Sequence, residues 1–140
     1  MKSTEPSVNI RLEGNGRGFR PGETLAGEYA FDDLPADQAK HIEVSVLWFT
    51  EGKGDEDLAV HEFWRINLEE NRGVSLPQLQ RFSTVLPNSP LSYDGRIVKI
   101  RWCVRVRAFL QGGKEVFGQK VFRLGAVPAV PPPANVEAAG

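Results

Sequence analysis

The stretch that decides the fold is PNSPLSYDGRIVKIRWCVRVRAFL, residues 87–110. It opens with turn chemistry (two prolines, two serines and the Asp94-Gly95 step) and then alternates strictly. Val98, Ile100, Trp102, Val104, Val106 and Ala108 share one parity, and Lys99, Arg101, Cys103, Arg105 and Arg107 share the other. Successive side chains of a strand point to opposite faces, so the pattern describes a half-buried strand with one apolar and one charged face. A helix, with its period of 3.6, would scatter the arginines through the apolar stripe. The strand is therefore expected at the centre of an antiparallel sandwich, with its Trp102 face in the core.

The flanking sequence supplies partners. Gln111-Gly112-Gly113 reads as a tight turn, because glycines suit the positive φ of hairpin loops, and residues 114–124 (KEVFGQKVFRL) return as a partner strand. Upstream, residues 76–86 fit either a strand or a short helix. Residues 41–49 (HIEVSVLWF) and 58–68 (LAVHEFWRINL) read as a hairpin across a polar tip, residues 50–57. Ile42, Val44, Val46 and Trp48 share a face, while Leu47 and Phe49 make the far end apolar on both sides. Residues 32–40 read as a loop or a single helical turn. Residues 24–31 alternate through Leu25, Gly27, Tyr29 and Phe31, and residues 7–12 through Val8, Ile10 and Leu12. About seven short strands, regular turn signals and no βα alternation predict an all-β sandwich.

The 140 residues suit one domain, long enough to bury roughly two thirds of its unfolded surface. That domain is expected over residues 1–125. Residues 126–140 (AVPAVPPPANVEAAG), with three consecutive prolines and little charge, are expected to form an extended tail. A net charge of −1 predicts neither a nucleic-acid binder nor a protein held on a membrane by its overall field. Cys103 is the only cysteine, which excludes an internal disulfide and a multi-thiolate metal site. The opening residues MKSTEPSVNIRLEG contain no apolar run of signal-peptide or membrane-span length, and a cytoplasmic location is expected.

No catalytic set assembles from the remaining residues. The glycines at 14, 16 and 18 resemble the start of a dinucleotide fingerprint, but Phe19-Arg20-Pro21-Gly22 follows where a phosphate-holding helix should begin. His61-Glu62 begins like a zinc-protease motif, yet Arg65 stands where the second histidine belongs. His41 and His61 are expected as surface or edge residues on strands. Glu51, Asp55, Glu56 and Asp57 lack the spacing of a calcium loop and enclose Lys53, so they read as a solvated hairpin tip. Neither cofactor nor metal is expected, and the chain is not expected to be an enzyme.

The charged face of the central strand is the candidate interaction surface. Same-face residues lie about 6.6 Å apart along a strand, so Lys99, Arg101, Arg105 and Arg107 form a short cationic stripe. Such a stripe suits phosphates or an acidic partner; alternatively, cross-strand acids such as Glu62 or Glu115 neutralise it. Aromatics do not interleave with the arginines, which speaks against base stacking and nucleic acid. Cys103 shares the face: four nearby cations would stabilise its thiolate, or it is a small residue packed on a crowded strand.

Two segments together resemble arrestin-like domains. RPGETLAGEYAF, residues 20–31, is similar to the family's Pro-Gly-Glu turn leading into a strand with a glycine a few residues on. Phe82, Leu86-Pro87, Pro90, Ser92-Tyr93, Gly95 and Trp102 match its later portion, where Pro-x-Ser-Tyr-x-Gly precedes a long strand with a central aromatic. The resemblance implies an immunoglobulin-like antiparallel β-sandwich of the arrestin, retromer-subunit and sporulation-control type. It also implies a non-enzymatic adaptor that binds a protein partner, or an anionic ligand or phospholipid headgroup through the basic face. The family pairs two such sandwiches, and this chain has room for one, most like the first half. The partner and the oligomeric state are not implied.

Overall fold

The computed structural model describes residues 5–14, 18–35, 37–68 and 79–125. These form eight strands: β1 (Ser7–Leu12), β2 (Thr24–Asp32), β3 (Ala39–Gly52), β4 (Leu58–Asn67), β5 (Gln80–Val85), β6 (Tyr93–Asp94), β7 (Val98–Leu110) and β8 (Glu115–Phe122). A single 3-10 turn, Gln111–Gly113, joins β7 to β8, and its Gly112 and Gly113 have the positive φ expected of that step. There is no α-helix among the described residues. Every strand pairing is antiparallel, in a three-stranded sheet ordered β1-β2-β5 and a five-stranded sheet ordered β4-β3-β7, with β6 and β8 both along the far side of β7. The fold is the all-β sandwich that the alternation predicts, and β7 is its central strand.

The core lies between the two sheets. Trp102, Val104, Val106 and Ala108 of β7 and Ile42, Val44 and Val46 of β3 meet Leu25 and Tyr29 of β2 and Phe82 of β5. Period-two alternation puts all of them on inward faces, so the apolar parity of each strand has become core. Trp102 is 1% exposed, packs against Phe122 at 5.9 Å between centroids, and donates its indole Nε1–H to the Pro90 carbonyl at 2.8 Å.

Turn chemistry ties the ends together. Pro21 and Gly22, the latter at φ +84°, form the centre of a turn in which Glu23 N–H donates to the Arg20 carbonyl. The Glu23 carboxylate accepts from Arg20 N–H at 2.8 Å, closing the same turn from the side chain. Ser92 N–H donates to the Leu124 carbonyl at 2.7 Å, and Leu124 N–H donates back to Ser92 Oγ at 2.8 Å. Phe19 bridges to Leu124 in parallel, so extended chain rather than a helix follows Gly18.

Some expectations shift. From residue 80, the segment that fitted a strand or a helix is strand β5, while residues 76–78 lie outside the described residues. Strand β3 is longer than residues 41–49 at both ends, which shortens the hairpin tip to residues 53–57. Its extension ends at Gly52 (φ +142°), where a Cβ would collide with the Ile97 carbonyl. The expected tail, residues 126–140, lies outside the described residues. No helix among the described residues is long and apolar enough to cross a membrane.

Candidate functional site

Lys99, Arg101, Arg105 and Arg107 do share the outward face of β7, as alternation requires, but three of them are already engaged. Arg101 Nε donates to Glu51 Oε1 at 2.7 Å, and this bond raises the guanidinium pKa further. Arg105 Nε donates to Gln119 Oε1 at 2.7 Å, and its guanidinium sits 5.4 Å from the centre of the Phe49 ring. Arg107 grips both carboxylate oxygens of Glu115, with its closest contact at 2.9 Å, and lies 5.2 Å from the Phe109 ring centre. Lys99 stands in register between Glu51 and Asp94. Of the two acids expected to neutralise the stripe, Glu115 does so. Glu62 does not: a register shift in β4 turns it toward β5, where it accepts from Thr84 Oγ1 at 3.0 Å. Glu51, expected in the solvated tip, takes that place because β3 runs on through it.

Of the two readings of Cys103, the structure supports the small packed residue over the activated thiolate. Cys103 lies on the basic parity but is fully buried, and burial pushes its thiol pKa up to about 11. Arg105 acts in the opposite direction, and desolvation outweighs it. The reason is the cross-strand row in which Cys103 sits. Register aligns Val60, Leu47, Cys103 and Val121 across four strands, an apolar belt running through the middle of a face that looks cationic along β7 alone. The thiol is a small packed residue rather than an activated nucleophile.

Both histidines lie on strands. His41 stacks on Phe109 at 4.5 Å and approaches the Glu43 carboxylate at 3.4 Å. His61, on the edge strand β4, has Nε2 2.8 Å from the Val85 carbonyl and 3.3 Å from Thr84 Oγ1, linking the two sheets along that side. Among the described residues, no three side chains of metal-ligating type come together.

The opposite side of the sandwich is open. Strands β1 and β8 are neighbours from different sheets, each, among the described residues, hydrogen-bonded to a strand on one side only. They touch where Val8 packs onto Gly118, and the lack of a side chain at Gly118 permits that approach. Toward Leu12 and Phe122 they part around a cleft of ≈ 850 Å³. Its apolar floor includes Ile10, Phe19 and Tyr29, and on its rim stand Lys120 and Arg11, the latter paired with Glu28 at 3.6 Å. Burial pushes the Tyr29 phenol up to about 12. Sequence reading gives no hint of this cleft, because Arg11 and Lys120 come from opposite ends of the chain and only sheet order joins them.

No protein-family model matches the chain, and no curated protein matches it. Among solved structures it is similar to Spo0M, a sporulation control protein from Bacillus subtilis, with a TM-score of 0.57 and 15% identity over 89% of this chain and 51% of that one. The chain thus spans about half the length of that protein. It is also similar to superoxide reductase (neelaredoxin) from Ignicoccus hospitalis, with a TM-score of 0.50 and 7% identity over 85% of this chain and 80% of that one. At such identities the likeness concerns the fold alone. The likeness to the sporulation control protein supports a fold of the type that the turn motifs imply.

Proposed function

We propose that the chain is a non-enzymatic adaptor that binds a protein partner in extended form at the seam between β1 and β8. One observation carries this reading: two strand edges without strand partners among the described residues flank an open cleft. Unpaired backbone N–H and C=O groups are a template for an added strand, and pockets beside them select its side chains. An apolar floor with Lys120 and the Arg11–Glu28 pair on its rim suits an extended segment that alternates apolar and charged residues. The arrestin-like fold supports the adaptor reading by analogy, as the counterpart of one half of a longer protein. Anion or headgroup binding by the β7 stripe has less to rest on, since Arg101, Arg105 and Arg107 direct donors into Glu51, Gln119 and Glu115.

Affinity capture from lysate of the chain's own cells, run in parallel with an Arg11→Glu/Lys120→Glu variant, tests the proposal. A protein recovered repeatedly by the parent chain and lost with the variant is the expected result. Equal recovery by both, or nothing specific with either, contradicts it.

A further inference from the structure

The outward face of the five-stranded sheet has no layer over it among the described residues, yet it is not built as a solvated surface. Leu58, Val60 and Phe63 on β4 and Phe117 and Val121 on β8 are each about half exposed. They frame the belt of Leu47 and Cys103, both buried although no element packs above them. A monomeric protein rarely leaves a contiguous apolar surface of this kind uncovered.

The charges on this face divide by strand. Outward charges alternate in sign from strand to strand: Arg65 on β4, Glu43 and Glu51 on β3, Lys99, Arg101, Arg105 and Arg107 on β7, and Glu115 on β8. A face whose strands run cationic, acidic, cationic, acidic from β4 through β3 and β7 to β8 complements itself about its midline. We propose that two copies of this chain pack through this face, sheet on sheet, about a two-fold axis running along the strands between β3 and β7.

That axis exchanges the two sides, laying acidic β3 of each copy over basic β7 of the other and the β4 strand of Arg65 over the β8 strand of Glu115, while the apolar belts meet in the middle. A two-fold running across the strands would instead set acid on acid and cation on cation. Isologous contact duplicates each favourable pairing, and stacked sheets of this kind align within about 30°. The size is adequate. Six outward positions on each of β3 and β7, with five on β4 and four on β8, at about 4.8 Å between strands and about 6.7 Å along them, span roughly 650 Å² in projection, comparable to the ~800 Å² per partner of a standard interface. This inference does not rest on the seam reading, because Arg11 and Lys120 lie at the seam and not on this face.

Sedimentation velocity through a dilution series tests it. The parent chain is expected to move from about twice 15.5 kDa toward 15.5 kDa on dilution. Val60→Glu, with Leu58→Glu as a second variant should the first lose its far-ultraviolet strand signal, is expected to weaken the dimer by about 100-fold, since each change acts twice. Glu43→Arg is expected to weaken it as well, and Glu43→Arg/Arg107→Glu to restore it. A parent chain that is monomeric throughout, a folded Val60→Glu or Leu58→Glu variant that dimerises as the parent does, or a charge swap without recovery overturns the proposal.

Discussion

Trp102→Ala is expected to lower the free energy of unfolding by about 4 kcal/mol, the upper range for deleting a core aromatic. The indole is 1% exposed at the centre of β7, packs on Phe122 and meets the His61 ring edge-on at 6.1 Å. Its removal leaves a cavity between the sheets and strips the Pro90 carbonyl of its donor. Trp102→Phe separates the two effects: it keeps an aromatic ring but not the hydrogen bond, and is expected to cost about 2 kcal/mol. Urea denaturation of the three proteins measures both steps. An alanine variant within 1 kcal/mol of the parent, by the scale on which surface changes fall, would show that Trp102 is not the core of the sandwich.

Gly27→Val is expected to cost about 3 kcal/mol for the opposite reason, overpacking. Gly27 lies in β2, in register with Leu12 on one side and Phe82 on the other. A Cβ there would stand 2.6 Å from the Arg11 carbonyl oxygen and 2.7 Å from the Phe82 ring. The carbonyl belongs to the backbone of β1 and cannot swing away as a side chain can, so β1 must shift along the sheet. Ala26→Val, one residue earlier and on the other face of β2, is expected to change stability by no more than about 0.5 kcal/mol. Equal effects at the two positions, measured by thermal or urea unfolding, would contradict the packing described.

Much of the fold was legible because its strands alternate. The parity of residues 98–108 alone gave the inward face of β7, and the same signal placed Ile42, Val44 and Val46 in the core. The motifs behind the arrestin-like resemblance have structural causes in this chain. The Pro-Gly-Glu turn is closed by Glu23, and Gly27 admits Phe82. Ser92 locks onto Leu124, Pro90 receives the Trp102 indole, and Gly95 leaves room for the Tyr93 ring. These residues fix the scaffold, which is why they pointed to a fold and to no chemistry.

The surfaces were less legible. Parity says which way a side chain points, but not which neighbours stand beside it. Along β7, Cys103 is flanked by arginines; across the sheet it is flanked by Leu47 and Val121, and the second set determines its burial. The bulge in β4 likewise moved Glu62 away from the stripe that period-two counting assigned to it. The seam depended on the order β1-β2-β5 against β4-β3-β7-β8, which brings the first and last strands side by side. No local pattern encodes that order.

The account rests on two strand edges, unpaired among the described residues, facing an open seam, and amide hydrogen exchange tests this most directly. Amides of β3 and β7, paired on both sides, are expected to exchange slowest, near the global unfolding limit. In β1 and β8, slow amides turned toward β2 and β7 are expected to alternate with fast amides turned toward the seam. Uniform protection along β1 and β8, matching that of β7, would mean that the two edges are already paired, and would contradict the binding site proposed between them.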